Sequence, residues 1–132
     1  MESSRDKIVK AMESAVNYLE SSVKAFVDKD ERKVSDLVWH AAADVEYALF
    51  LLSLSYQLEE GTLQRLDPSM KNGEVGSTLV LARDMLLEAK SDMGTNSCEA
   101  HKKTRMTREA LLMIQKSLDK ERRAREKPIP RR

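Results

Sequence analysis

Residues 34–56 read VSDLVWHAAADVEYALFLLSLSY and carry the clearest helical pattern in the chain. Its apolar residues recur at the three- and four-residue spacing of a helix that buries one face. These residues are Val34, Leu37, Val38, Ala41, Val45, Ala48, Leu49 and Leu52. The spacing predicts a long helix and an all-α protein.

From residue 45 to residue 56 this helix is apolar on nearly every side. A helix at the surface of a monomer buries only one side, so the segment needs partners on two faces. Two arrangements meet that need: a fully internal central helix, or a helix whose second face is a homodimer interface. We favour self-association, and the interface candidates are Tyr47, Phe50, Leu51 and Leu54.

A first helix is predicted upstream, capped by Ser3 or Ser4. Its apolar stripe consists of Ile8, Met12, Ala15, Leu19, Val23 and Phe26. The polar residues 28–31 end it, and Asp30 can cap the second helix. The first two helices are therefore expected to form a hairpin.

A third helix is predicted after residues 67–77, which have the composition of a loop. Ser77 is expected to cap this helix, and Gly94 to end it. The glycines at positions 73 and 76 lack the lysine and the preceding strand of a phosphate-binding loop, so they indicate turns.

A fourth helix is predicted from Asn96 or Ser97 to Lys127. Its core stripe is short and consists of Met106 or Thr107, Leu111, Ile114 and Leu118. We therefore expect its two ends to project from the bundle or to pair with charged groups.

Together the four segments predict an antiparallel four-helix bundle, with a short fifth helical turn between helices 2 and 3 as a variant. Residues 1–127 form one domain in this prediction, and residues 128–132 form a disordered basic tail. The 132 residues, 41% of them hydrophobic, suffice for one modest core.

A cytoplasmic location and no membrane partner are expected. The polar N-terminus has no signal-peptide pattern, and the apolar run at 45–56 is shorter than the roughly 20 residues that span a bilayer. The single cysteine, Cys98, cannot form an internal disulfide, which fits a reducing compartment.

Charge is divided unevenly along the chain. Residues 1–98 hold 11 basic and 17 acidic side chains, net −6, whereas residues 99–132 hold 12 basic and 5 acidic, net +7. Such a basic segment can follow a nucleic-acid backbone without reading sequence. The candidate residues are Lys102, Lys103, Arg105, Arg108, Arg122, Arg123, Arg125, Arg131 and Arg132. The alternative that we favour is a basic helix that pairs with acidic surface of the same or a second chain, or a solvated helix face with pairs such as Glu121 with Arg125.

Two polar groupings are candidate sites of chemistry. Asp36, His40 and Asp44 share one face of the second helix, and Cys98 and His101 lie three residues apart. Either grouping offers metal ligands, but two isolated pairs lack the spacing of an established zinc site. The prediction is therefore a protein without catalytic residues, metal or cofactor, whose polar stripe is solvated.

The segment AAADVEYAL at 41–49, which follows an amphipathic helix, resembles the second helix of the HEPN superfamily of helical bundles. The resemblance implies a bundle fold. Ribonuclease members of that superfamily carry an arginine four to six residues before a histidine, and neither His40 nor His101 has one there. The resemblance therefore implies no nuclease activity for this chain.

From these observations the sequence predicts a small non-enzymatic interaction or scaffold module, self-associating as a homodimer or bound to another protein. The alternative is a nonspecific nucleic-acid-associated protein that uses the basic C-terminal helix and tail.

Overall fold

A computed structural model describes residues 3–56 and 75–126. These residues form α1 (Ser4–Val27), α2 (Glu31–Tyr56), α3 (Val75–Asp92) and α4 (Ser97–Glu126). The all-α class is confirmed. The predicted fifth helical turn and the tail at 128–132 lie outside the described residues.

Side-chain caps set the starts of three helices. Ser3 and Asp6 form a capping box before α1, in which each side chain accepts the other's backbone N–H. Asp30 Oδ1 accepts a backbone N–H in the first turn of α2 at 3.2 Å. Asn96 Oδ1 does the same at the start of α4, also at 3.2 Å. The caps predicted at Ser3 and Asp30 are confirmed, and α4 begins at Ser97, within the predicted range.

The start of α3 differs from the prediction. The helix begins at Val75, so Ser77 lies inside its first turn and does not cap it. Val75 and Thr78 are both buried. Packing of this first turn against the bundle therefore starts the helix upstream of Ser77. The loop predicted for 67–77 is therefore wrong at 75–77, and 67–74 lie outside the described residues.

Each helix runs antiparallel to its two neighbours. The helix α1 packs on α2 and α3, and α4 packs on the same two helices. Lys90, late in α3, pairs with Glu13, early in α1, at 3.1 Å. Glu31 at the start of α2 and Arg122 late in α4 line one groove. The antiparallel four-helix bundle is confirmed, with α2 and α3 running in the same direction at opposite corners.

The core lies between the four helices and uses most residues of the predicted stripes. Phe26, predicted in the stripe of α1, is 42% exposed. On α2 the buried residues are Val34, Val38, Ala41, Val45, Ala48 and Leu52. On α3 and just after it they include Leu79, Ala82, Met85, Leu86, Ala89 and Met93.

The structure corrects the prediction for the beginning of α4. The short stripe predicts that the ends of this helix project from the bundle or pair with charged groups. Projection is wrong at the N-terminal end, because Ala100, His101 and Thr104 are buried. Thr104 can be buried because its hydroxyl donates to the Ala100 carbonyl oxygen at 2.6 Å. The core therefore continues to the first turn of α4, through side chains that do not form an apolar stripe.

Candidate interaction surface

Large apolar side chains lie exposed on one side of α2. Trp39, Tyr47, Phe50 and Leu54 are 66%, 48%, 60% and 61% exposed. The small, exposed Ala43 lies between the first two at helical spacing. We call these five residues the α2 face; it extends about 22 Å along the helix.

The structure places three of the four predicted interface residues on the α2 face. Leu51 is half-buried and packs against the core, so it lies on another side of the helix. Sequence reasoning missed Trp39, because it concentrated on residues 45–56. A projection at 100° per residue would have grouped Trp39 with Phe50.

A groove of about 270 Å³ between α2 and α4 lies beside the α2 face. It is lined by Trp39, Ala42, Ala43, Glu46, Arg108, Leu112 and Gln115. Ala42 and Ala43 contribute only methyl groups, which leaves room for a side chain from outside. Leu112, exposed on α4, adds apolar surface to the opposite wall.

Charge beside the groove is balanced. The Glu46 carboxylate on α2 pairs with the Arg108 guanidinium on α4, and both side chains are about half exposed. Because the two charges compensate each other, this surface suits an occupant without large net charge.

By length and composition alone, α2 is also apolar enough to cross a membrane. Within Glu31–Leu54, the most apolar 18-residue window has a mean hydropathy of 1.3, and 33% of that window is buried. Core helices of soluble proteins pass the same test. The hydropathy of α2 is high because the helix has two apolar sides, the core stripe and the α2 face.

Two of the candidate nucleic-acid residues form ion pairs within the bundle. Lys103 Nζ lies 2.8 Å from Asp92 and 3.2 Å from Glu88, both near the end of α3. The hydrogen bond to the Asp92 carboxylate, helped by Glu88, raises the pKa of Lys103 above 10.5. Arg108 is held by Glu46 as described above. These contacts tie α4 to α3 and to α2.

The other candidates are distributed along α4. Lys102 and Arg105 are half-buried, Arg123 is exposed, and Arg122 pairs with Asp119 at 3.0 Å. Arg125 belongs to the last turn of α4, and positions 131 and 132 lie outside the described residues. In the described part, the basic side chains therefore do not form one continuous unpaired row.

The histidine on α2 makes aromatic contacts. His40 is exposed, stacks on Tyr18 of α1 with ring centroids 5.1 Å apart, and meets Trp39 edge-on at 6.3 Å. Asp44 Oδ2 is buried without a hydrogen-bond partner among the described residues. Asp36 is exposed. The stacking of His40 on Tyr18 therefore contributes to the contact between α1 and α2.

Cys98 and His101 differ in their surroundings. Cys98 is exposed, whereas His101 is buried in the first turns of α4. Among the described residues, no group of three or more His, Cys, Asp or Glu side chains is placed to hold a metal ion.

Comparisons with known proteins find no family model, no curated protein and no solved structure that matches the chain. The resemblance of residues 41–49 to a HEPN helix therefore has no support beyond the pattern itself.

Proposed function

We propose that this chain is a small non-enzymatic helical module that self-associates through the α2 face in the cytoplasm. The observation that carries the proposal is the line of Trp39, Tyr47, Phe50 and Leu54, each about half or more exposed. Soluble monomers rarely expose a large contiguous apolar patch of this kind. Aromatic side chains are also enriched at the centres of protein interfaces.

The chain is large enough to carry a dimer interface of standard size. A standard interface buries about 800 Å² per partner, or roughly a tenth of a small protein's surface. The accessible surface of the chain is 9061 Å². Burial of the α2 face releases water from apolar surface at about 25 cal/mol per Å², which offsets the loss of translational freedom.

The charged neighbours favour a protein partner over lipid. Glu46 and Arg108 lie beside the α2 face. Charged groups in a bilayer core cost several kcal/mol, whereas the rim of a protein interface accommodates them.

The test is the molar mass by light scattering over a range of protein concentrations. We expect a dimer for the wild type and a monomer for Leu54→Glu. Leu87→Glu is the matched control, because Leu87 is an exposed leucine on α3, at the corner opposite α2. A wild type that stays monomeric at high concentration would overturn the proposal, as would equal masses for the two variants.

The alternative, nonspecific nucleic-acid binding, depends on the exposed end of α4 and the basic residues after it. The ion pairs of Lys103 and Arg108 reduce the charge available for phosphate. Fluorescence anisotropy of labelled duplex DNA with the full chain, and with a chain that ends at Leu118, tests it. Binding that needs the segment after Leu118 and weakens steeply with salt would favour this alternative.

A further inference from the structure

We propose that two copies pack α2 against α2 in antiparallel orientation, around a two-fold axis that passes between Glu46 and Tyr47. This inference rests on the proposed function and adds the arrangement of the partner. A two-fold dimer uses the same surface on both copies, so each contact occurs twice.

The spacing of the α2 face supplies the register. Trp39 and Leu54 are equally distant in sequence from the midpoint between Glu46 and Tyr47, and so are Ala43 and Phe50. In an antiparallel pair, Trp39 of one copy therefore lies level with Leu54 of the other, and Ala43 lies level with Phe50.

The angular positions agree with this register. At 100° per residue, Trp39 and Leu54 lie about 30° to opposite sides of the centre line of the face. Ala43 and Phe50 lie about 10° to opposite sides of it. Residues placed in this way form side-by-side layers when the second helix is reversed.

Shape complementarity comes from the groove between α2 and α4. Phe50 projects from the α2 face, 60% exposed, and Ala43 is part of the lining of the 270 Å³ groove. In the antiparallel register, Phe50 of each copy is brought to the groove of the other. Leu112 is in the groove lining and contacts the incoming ring. The large side chain is thus matched with the small one.

Charge complementarity is satisfied at the axis. The Glu46 side chains of the two copies approach each other there, and each carries its own Arg108 partner. Two carboxylates and two guanidinium groups can alternate around the axis, so the approach of the like charges is compensated. A parallel pair would instead place Phe50 beside Phe50 and leave both grooves empty.

The test uses two variants of the full chain, Trp39→Lys and Leu54→Glu, alone and mixed. Each variant alone places a charge against an apolar side chain twice per dimer, and we expect the dissociation constant to rise about 30-fold or more. In the mixed dimer, the introduced lysine of one copy meets the introduced glutamate of the other in one layer, and the native Trp39–Leu54 layer is kept in the second. We therefore expect the mixture to regain the dimer mass.

Tryptophan emission gives a second readout on the same mixture. The chain has one tryptophan, so the emission comes only from the Leu54→Glu copies. The emission should shift to shorter wavelength on mixing, because Trp39 then packs against the native Leu54 of the other variant.

The outcomes separate the two proposals. A monomeric wild type overturns the proposed function and this arrangement together. A dimeric wild type with monomeric variants that stay monomeric when mixed keeps the proposed function and overturns the antiparallel register. Variants that remain dimeric on their own show that the α2 face is not the interface.

Discussion

Phe26 of α1 lies against the backbone of Gly76 in α3, so closely that a Cβ atom on residue 76 would be 2.6 Å from Phe26 Cε2. This contact brings the end of α1 and the start of α3 together. Residue 76 lies in an ordinary helix, so the close approach of the Phe26 ring, and not the backbone conformation, is what a glycine accommodates here.

The Phe26–Gly76 contact predicts that Gly76→Ala changes the free energy of unfolding in opposite directions with and without the Phe26 ring. Gly76→Ala should destabilise the wild-type chain by about 1–2 kcal/mol, because the new methyl group displaces the ring. In a Phe26→Ala background the same change should stabilise by up to about 1 kcal/mol, from helix propensity. Urea unfolding measures both. Equal effects in the two backgrounds would contradict the contact.

The turn between α1 and α2 predicts a stabilising substitution. Lys29 has φ of 60°, in the left-handed region. The Asp30 N–H donates to the Ala25 carbonyl oxygen at 2.9 Å, as in a Schellman motif. Lys29→Gly should raise the free energy of unfolding by about 0.5–1 kcal/mol, because glycine adopts this conformation without a steric penalty. Lys24→Gly, inside α1, is the control and should lower it by about 1 kcal/mol.

The ion pair of Lys103 predicts a pH-dependent contribution to stability. Its carboxylate partners raise the folded-state pKa of Lys103 above 10.5, so the contribution is complete below pH 10.5 and is lost as the pH rises through the folded-state pKa. Lys103→Gln should therefore be less stable than the wild type at pH 7, and this difference should shrink in alkaline buffer. Lys102→Gln is the control, since Lys102 has no ion-pair partner among the described residues. A difference for Lys103→Gln that is constant with pH would contradict the assignment.

Substitutions at two adjacent leucines of α4 should affect stability and dimerisation separately. Leu111 is fully buried, whereas Leu112 is exposed beside the groove. Leu111→Ala should lower the free energy of unfolding by about 2–5 kcal/mol. Leu112→Ala should change it by less than about 1 kcal/mol in dilute, monomeric protein, but should weaken the dimer. The reverse pattern would show that Leu112 serves the core.

Most of the fold was predictable because apolar periodicity and helix caps are local signals. The stripes of α1 and α2, and the caps at Ser3 and Asp30, follow from neighbouring residues. The start of α3 was not predictable in this way. Packing against the bundle, and not the nearby serine at position 77, sets where that helix begins.

The candidate surface was predictable only in part. Tyr47, Phe50 and Leu54 stand out in a segment that is apolar on every side, but sequence alone could not separate them from Leu51. The orientation of α2 between α1 and α4 decides which side chains point inward. The groove, and Leu112 in it, arise from the pairing of α2 with α4, which no local pattern specifies.

Self-association through the α2 face is tested most directly by the fluorescence of Trp39, the single tryptophan, as the protein is concentrated. Trp39 is 66% exposed in the isolated chain, so dilute protein should emit at long wavelength. We predict a shift to shorter wavelength with increasing concentration, and none over the same range for Leu54→Glu. Emission from the wild type that stays at long wavelength at every concentration would contradict the account.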